Sequence, residues 1–361
     1  MVFGLNSTNA APVPVSFLDG ATCCRRGGSE SPAHAGDRPR GQFRVQHRSF
    51  ADEGEAVYST STMILLYETV VAGLLGLLSG SFLNVCATRW PEDESVIKPR
   101  SHCRSCNRTL SWWENVPLAS WLALRGRCRS CGAWIGWRYP LVELAVGVLW
   151  AFIAWRFFSL QPVTGFSSIS YTLDLTDSIA QMIFLWLLVA LAVFDAENLW
   201  LPDRLIWPGI GLGLVLGVTR ATLSTFMANG GDFGVWKNTA THAAVNWFVG
   251  TVFAAGVVLA IRWLYQMIRD QEGIGFGDVK LMAMLGGWFC AIRLWLLALG
   301  IGIVFGALVA LLLLGLPSVR ASRESWKVKK LPFGTFICLG GIITALWGQS
   351  IIDVYRSWAG F

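Results

Sequence analysis

Residues 63–87 read MILLYETVVAGLLGLLSGSFLNVCA, an apolar run with one acidic and no basic residue. About 20 such residues cross the hydrocarbon core of a bilayer as a single helix. Outward from this stretch the same texture recurs. Seven further apolar segments follow, at roughly 140–158, 178–194, 204–222, 242–265, 279–291, 294–316 and 331–352. The whole chain agrees with this: 54% of its 361 residues are hydrophobic and only 14% charged. A soluble surface needs about a quarter of the residues charged, so the apolar runs must face lipid or one another. The expected fold is all-α, a polytopic membrane protein of about eight transmembrane helices. Its nineteen Trp suit the lipid–water boundary.

Two segments are short. The one ending at Asp195 has about sixteen apolar residues, and the one after Asp278 about thirteen before Arg293; such spans are tolerated where they line a cavity shielded from lipid. Lys and Arg fix the expected orientation. The 89–138 loop holds nine and the 317–330 loop five, while 159–177 has none and 223–241 only Lys237. With eight spans both rich loops fall on one side, which is cytoplasmic by the positive-inside rule. Asp195 and Asp278 then lie at cytoplasmic ends of spans. Residues 1–62 differ from all that follows, being rich in Ser, Gly, Pro and Arg without periodicity. Their six Arg oppose the inferred topology. The expectation is an extension that is disordered and dispensable, or a working start at Met63. Residues 63–158 then form an N-terminal domain, and 159–361 a second, membrane-embedded one.

Chemistry concentrates at two places. FDAENLWLPDRL (194–205) sets Asp195 and Asp203 between two spans, and EGIGFGDVKLMAMLGGW (272–288) sets Asp278 after Gly275 and Gly277. A carboxylate inside a membrane is costly and marks function by default. Two together suit peptide hydrolysis: an ionised one takes a proton from water while its protonated neighbour donates to the carbonyl. The plain alternatives are an interfacial cap at Asp195, a helix N-cap at Asp203 and neutralisation of Asp278 by Lys280. The second place is the 89–138 loop, where Cys103, Cys106, Cys128 and Cys131 form two CRSC pairs. Two CxxC knuckles suit a structural Zn²⁺ held by four thiolates; redox thiols or inert cysteines are the alternatives. Cys86, Cys290 and Cys338 read as packing residues in apolar segments, and Glu143 as a polar contact at the membrane face or a partner of Arg138.

In this order, FDAENLWLPDRL and GFGDVKLMAMLGGW resemble the two active-site motifs of type IV prepilin peptidases, in the GxGD class of intramembrane aspartic proteases. LPFGTF (331–336) resembles the proline turn beside that family's active site. GSFLNVCATRWP (80–91) and ENVPLASWLALRGRCRSCGAWIGWRYPLVEL (114–144) resemble its N-terminal domain. The resemblance implies that Asp195 and Asp278 are catalytic and that the enzyme works in the bacterial inner membrane. It also implies cleavage of leaders from type IV prepilins, type II secretion pseudopilins or both at the cytoplasmic face. It further implies methylation of the freed amine from S-adenosylmethionine, for which the sequence holds no nucleotide fingerprint. The partners expected are the pilin substrates and membrane lipid, with no nucleic acid. The competing readings are a peptidase without methyl transfer, a non-catalytic assembly factor, and an ion-coupled transporter. The last would place its acids at the midplane within an inverted repeat.

Overall fold

The computed structural model describes residues 50–160, 168–229, 233–270, 275–315 and 331–360. Among them nine α-helices occur and no β-strand: α1 Phe50–Arg89, α2 Ala119–Ala123, α3 Arg138–Leu160, α4 Ser168–Asn198, α5 Asp203–Asn229, α6 Phe233–Arg269, α7 Phe276–Phe289, α8 Ile292–Gly315 and α9 Phe333–Ala359. Seven are long and apolar enough to cross a membrane. The eighth expected segment is α7, 14 residues long and so only about 21 Å at 1.5 Å per residue. It holds its place by burial: Asp278, Val279 and Leu281 through Gly287 are all buried. A helix enclosed by protein need not match the lipid thickness.

Helix α1 begins at Phe50, ahead of the expected start at Met63, although the span-like part begins only at Leu65. The expectations for residues 1–49 and for the basic 317–330 loop lie outside the described residues. Helix α4 also runs on past Asp195 to Asn198.

Inside lipid there is little hydrophobic gain in joining apolar helices, so close backbone packing must do the work. Helices α1 and α3 show how. A Cβ on Gly76 would sit 2.8 Å from the Val146 carbonyl oxygen, and one on Gly80 2.7 Å from Glu143 Cα. Helices α6 and α7 meet the same way: a Cβ on Gly286 would fall on the Gly250 carbonyl oxygen and 2.6 Å from Ala254 Cβ. Helices α8 and α9 run antiparallel, with Gly302 against Ile337 and Gly340 against Ala298. Aromatic rings fill the rest, as where Phe184 of α4 stacks on Trp288 of α7 at 4.6 Å between centroids.

Overpacking the α6–α7 contact forces one helix away from the other. Gly286→Ala is expected to cost about 1–3 kcal/mol. Gly300→Ala, where an added Cβ meets nothing within 4 Å, is expected to be neutral. Thermal unfolding of the solubilised protein checks both.

Candidate active site and metal centre

On α4, Asp195 follows Leu188 and Leu191 at helical spacing, and both leucines are fully buried. The face that seals the core therefore carries the carboxylate inward. On α7, Asp278 precedes Leu281, Met282 and Leu285 on an equally buried face. Asp195 and Asp278 are only 6% and 7% exposed, where an unpaired ionised group would be heavily penalised. They meet at the start of α9. A Cβ on Gly334 would lie 3.0 Å from Asp195 Cγ and Oδ2, and 3.1 Å from Asp278 Oδ1. Only a residue without a side chain lets the chain run between the two carboxyl groups.

Each acid also faces a helix N-terminus, where unpaired N–H groups and the macrodipole favour negative charge. Asp278 sits in the first turn of α7, its own N–H donating to Gly275 O at 3.2 Å. Asp195 lies near the C-terminal end of α4, where the macrodipole is unfavourable, but receives the Thr335 N–H from the first turn of α9 at 2.6 Å. The Thr335 hydroxyl is 3.0 Å from the same Oδ2. Leu201, from the turn between α4 and α5, covers Gly277: a Cβ there would meet Leu201 Cδ1 at 3.1 Å. This close fit accounts for the second glycine before Asp278.

Two pairings that stood as alternatives do not form. Lys280 does not neutralise Asp278; it donates to Asp203 Oδ1 at 2.7 Å, because residues two apart on a helix point to nearly opposite sides. Asp203 thus opens α5 as an ion-pair partner, and no capping hydrogen bond from its side chain is present among the described residues. Arg138 pairs with Glu197 of α4, whereas Glu143 accepts the Leu118 N–H at 2.8 Å and anchors the cysteine loop on α3. Cys86 and Cys338 are buried packing residues as expected, but Cys290 is exposed and caps α7 with a left-handed φ of 51°.

The cysteine loop is built from two copies of one turn. Cys103 N–H donates to Arg108 O at 2.9 Å and Asn107 N–H to Cys103 O at 2.8 Å; Cys128 N–H donates to Ala133 O at 2.8 Å and Gly132 N–H to Cys128 O at 2.9 Å. Both turns need a left-handed residue after the second cysteine, supplied by Asn107 (φ 52°) and Gly132 (φ 69°), the residue types that tolerate it. The four Sγ atoms lie within 4.8 Å of one another, and Cys103 and Cys131 are 3.8 Å apart. Tetrahedral thiolates at about 2.3 Å from a zinc ion would be about 3.8 Å apart, so the set fits a metal ion. Backbone N–H groups of Cys131 and Ser130 pull the Cys128 thiol down to about 6. Cys131 faces the Ala133 N–H, yet burial and the neighbouring sulfurs push its thiol up to about 11. A cation would relieve that crowding.

Arg108 braces the two turns, donating to Ser130 Oγ at 2.8 Å and to Glu114 at 2.5 Å. The Ser111 N–H and Arg108 hold the Glu114 carboxyl below the usual range. Arg89, buried at the end of α1, donates to Ser95 O and Pro99 O at 2.8 and 2.7 Å. Trp90 stacks on Phe194, next to Asp195, at 5.6 Å. The cysteine set and the acid pair therefore share one end of the bundle.

Reasoning from sequence did not single out Gly334 and Thr335. The signal available was a Thr at the third position of an apolar helix, where an unpaired N–H must find an acceptor.

The residues 74–157 match the profile of the bacterial Peptidase A24 N-terminal domain, and 182–311 that of the type IV leader peptidase family. A prepilin leader peptidase/N-methyltransferase of Pseudomonas aeruginosa is 33% identical over 311 residues, covering 80% of this chain and 93% of that protein. A protein of the same name from Aeromonas hydrophila is 34% identical over 307 residues, covering 78% and 91%. A third, from Myxococcus xanthus, is 34% identical over 265 residues, covering 72% and 67%. No solved structure matches.

The Lys280–Asp203 pair is partly solvated, its side chains 24% and 54% exposed. Asp203→Asn is therefore expected to change stability by less than about 1 kcal/mol, read as a small shift in thermal unfolding.

Proposed function

Because the chain belongs to the type IV leader peptidase family, we propose that Asp195 and Asp278 are the catalytic pair with which it cleaves prepilin leaders. The observation that carries this is the meeting of both buried carboxyl groups across Gly334. A scissile peptide placed over that glycine would lie between them. One carboxylate would take a proton from water as its oxygen bonds to the carbonyl carbon, and the protonated partner would give its proton to the carbonyl oxygen. Two like charges this close do not both ionise, so the pair is primed with a single shared proton. The substrate arrives from the membrane, and the acids stand at one end of the bundle rather than at its middle. That placement favours an interfacial protease over a transporter.

We infer that this end faces the cytoplasm of a bacterial inner membrane. The loop of 89–138 with its nine basic residues joins α1 to α3 there, and cytoplasmic loops carry the excess of Lys and Arg. Leader cleavage frees an amine, and the names of the relatives support its methylation. S-adenosylmethionine is the donor inferred. Near the α1–α3 junction, Asn84 Oδ1 and Arg138 Nε and Nη2 are buried without partners among the described residues. These few atoms do not make a cradle for an adenosine, so no residue is assigned to the donor. The substrates inferred are type IV prepilins and type II secretion pseudopilins. The working division is 63–158 for the cysteine domain and 159–361 for the peptidase.

Cys103, Cys106, Cys128 and Cys131 would hold a Zn²⁺. With all four positions filled by protein, the ion's work is to fold the loop, not to activate water. Purified protein is expected to carry about one zinc per chain by elemental analysis. Cys128→Ser should lose it and expose the loop to protease. A Cys103–Cys106 disulfide with no metal would contradict the assignment.

Asp195→Asn and Asp278→Asn are each expected to abolish cleavage of a prepilin substrate by the purified enzyme. The double variant should be no worse than either single one, because the two act as a unit. Retained cleavage in either would remove the pair from the mechanism.

A further inference from the structure

Two hydrogen-bonding groups of one residue converge on one oxygen of the pair. Thr335 N–H donates to Asp195 Oδ2 at 2.6 Å. Its Oγ1 lies 3.0 Å from Oδ2 and 3.1 Å from the Ala192 carbonyl oxygen. The backbone N–H can only donate, and the Ala192 carbonyl can only accept. The hydroxyl carries one proton and can turn either way. When Asp195 is ionised, Oδ2 accepts both the N–H and the O–H. A proton on Oδ2 would have to compete with the N–H for the same lone pairs, and the hydroxyl would have to swing to Ala192. The contact is thus matched to the carboxylate form.

Asp278 is treated differently. Among the described residues no side chain donates to its carboxyl group, which faces the first turn of its own helix at Gly275.

We propose that Thr335 is a positioning residue that keeps Asp195 as the ionised member of the pair, leaving the shared proton on Asp278. This rests on the two aspartates being the catalytic pair. Asp195 then takes one proton of the attacking water while the water oxygen bonds to the carbonyl carbon. Asp278 gives its proton to the carbonyl oxygen, forming a tetrahedral diol. On collapse the C–N bond breaks, Asp195 passes its proton to the departing nitrogen, and a diol hydroxyl returns one to Asp278. Both acids end as they began. The other ionisable groups around the pair are unchanged by substitution at Thr335. These are Cys338 on α9, Arg262 of α6 acting on Asp278, Arg138 of α3 held by Glu197, and Lys280 held by Asp203 at the start of α5.

The test is the pH profile of kcat/KM for leader cleavage, using the full chain in lipid nanodiscs and a prepilin substrate. Thr335→Val keeps the shape and the N–H but removes the hydroxyl donor. Without that donor the ionised form is less favoured, so the acidic limb, which belongs to the pair as a whole, moves upward. A shift of about one pH unit is expected, with about tenfold lower kcat/KM below the limb. Thr335→Ser, which restores the hydroxyl, should return the limb to its original place. A purely packing role would instead lower the rate evenly at all pH values, and an unmoved limb in Thr335→Val overturns the proposal. Should the Val variant not fold, Thr335→Ala is read by the same criterion. Asp195→Asn is assayed alongside. If it still cleaves, the catalytic-pair reading fails; if it is inactive and the limb stays put, only the role of Thr335 fails.

Discussion

Placing two carboxyl groups in an apolar helical bundle is the constraint around which the other features of this protein are arranged. A single buried carboxylate without donors would sooner take up a proton than stay charged. Here each acid is set against the N-terminal turn of a helix, Asp278 on α7 and Asp195 against α9. Those turns have N–H groups to spare, because the first four of any helix lack an intrahelical acceptor. Helix ends thus supply what water would supply elsewhere.

That solution demands tolerances of a few tenths of an ångström, and glycine provides them. Gly334 passes between the carboxyl groups, Gly277 sits under Leu201, and the Gly250–Gly286 contact sets how near α7 comes to α6. The same small residues that let helices associate in lipid also bring the acids together. Helix α7 can be short because protein, not lipid, surrounds it. The Asp at its start is thereby carried inward from the interface to meet Asp195.

The cysteine loop is tied to this end of the bundle by polar contacts from the helices themselves. Arg89 at the end of α1 holds Ser95, Glu143 on α3 holds Leu118 in the middle of the loop, and Trp90 stacks on Phe194 next to Asp195. A metal in the Cys₄ set would close the loop on itself and leave those tethers to orient it. Trp90, the first loop residue after α1, in this way stacks on the residue that precedes Asp195.

The all-helical membrane architecture was legible in the chain alone, because lipid demands long apolar runs and backbone paired within each helix. It also pointed to Asp195, Asp278 and the four cysteines, through two acidic motifs in one order and two CxxC knuckles in one loop. Tertiary structure alone decided the partners. Lys280 is two residues from Asp278 in the chain, yet the turn of the helix gives it to Asp203. Arg138, five residues before Glu143, pairs across helices with Glu197. Gly334 and Thr335 stand more than fifty residues from either acid in the chain, and no local pattern in LPFGTF says which carboxylate they meet. Periodicity reports which face of a helix is buried, whereas the neighbour on that face is chosen by how closely two backbones can approach.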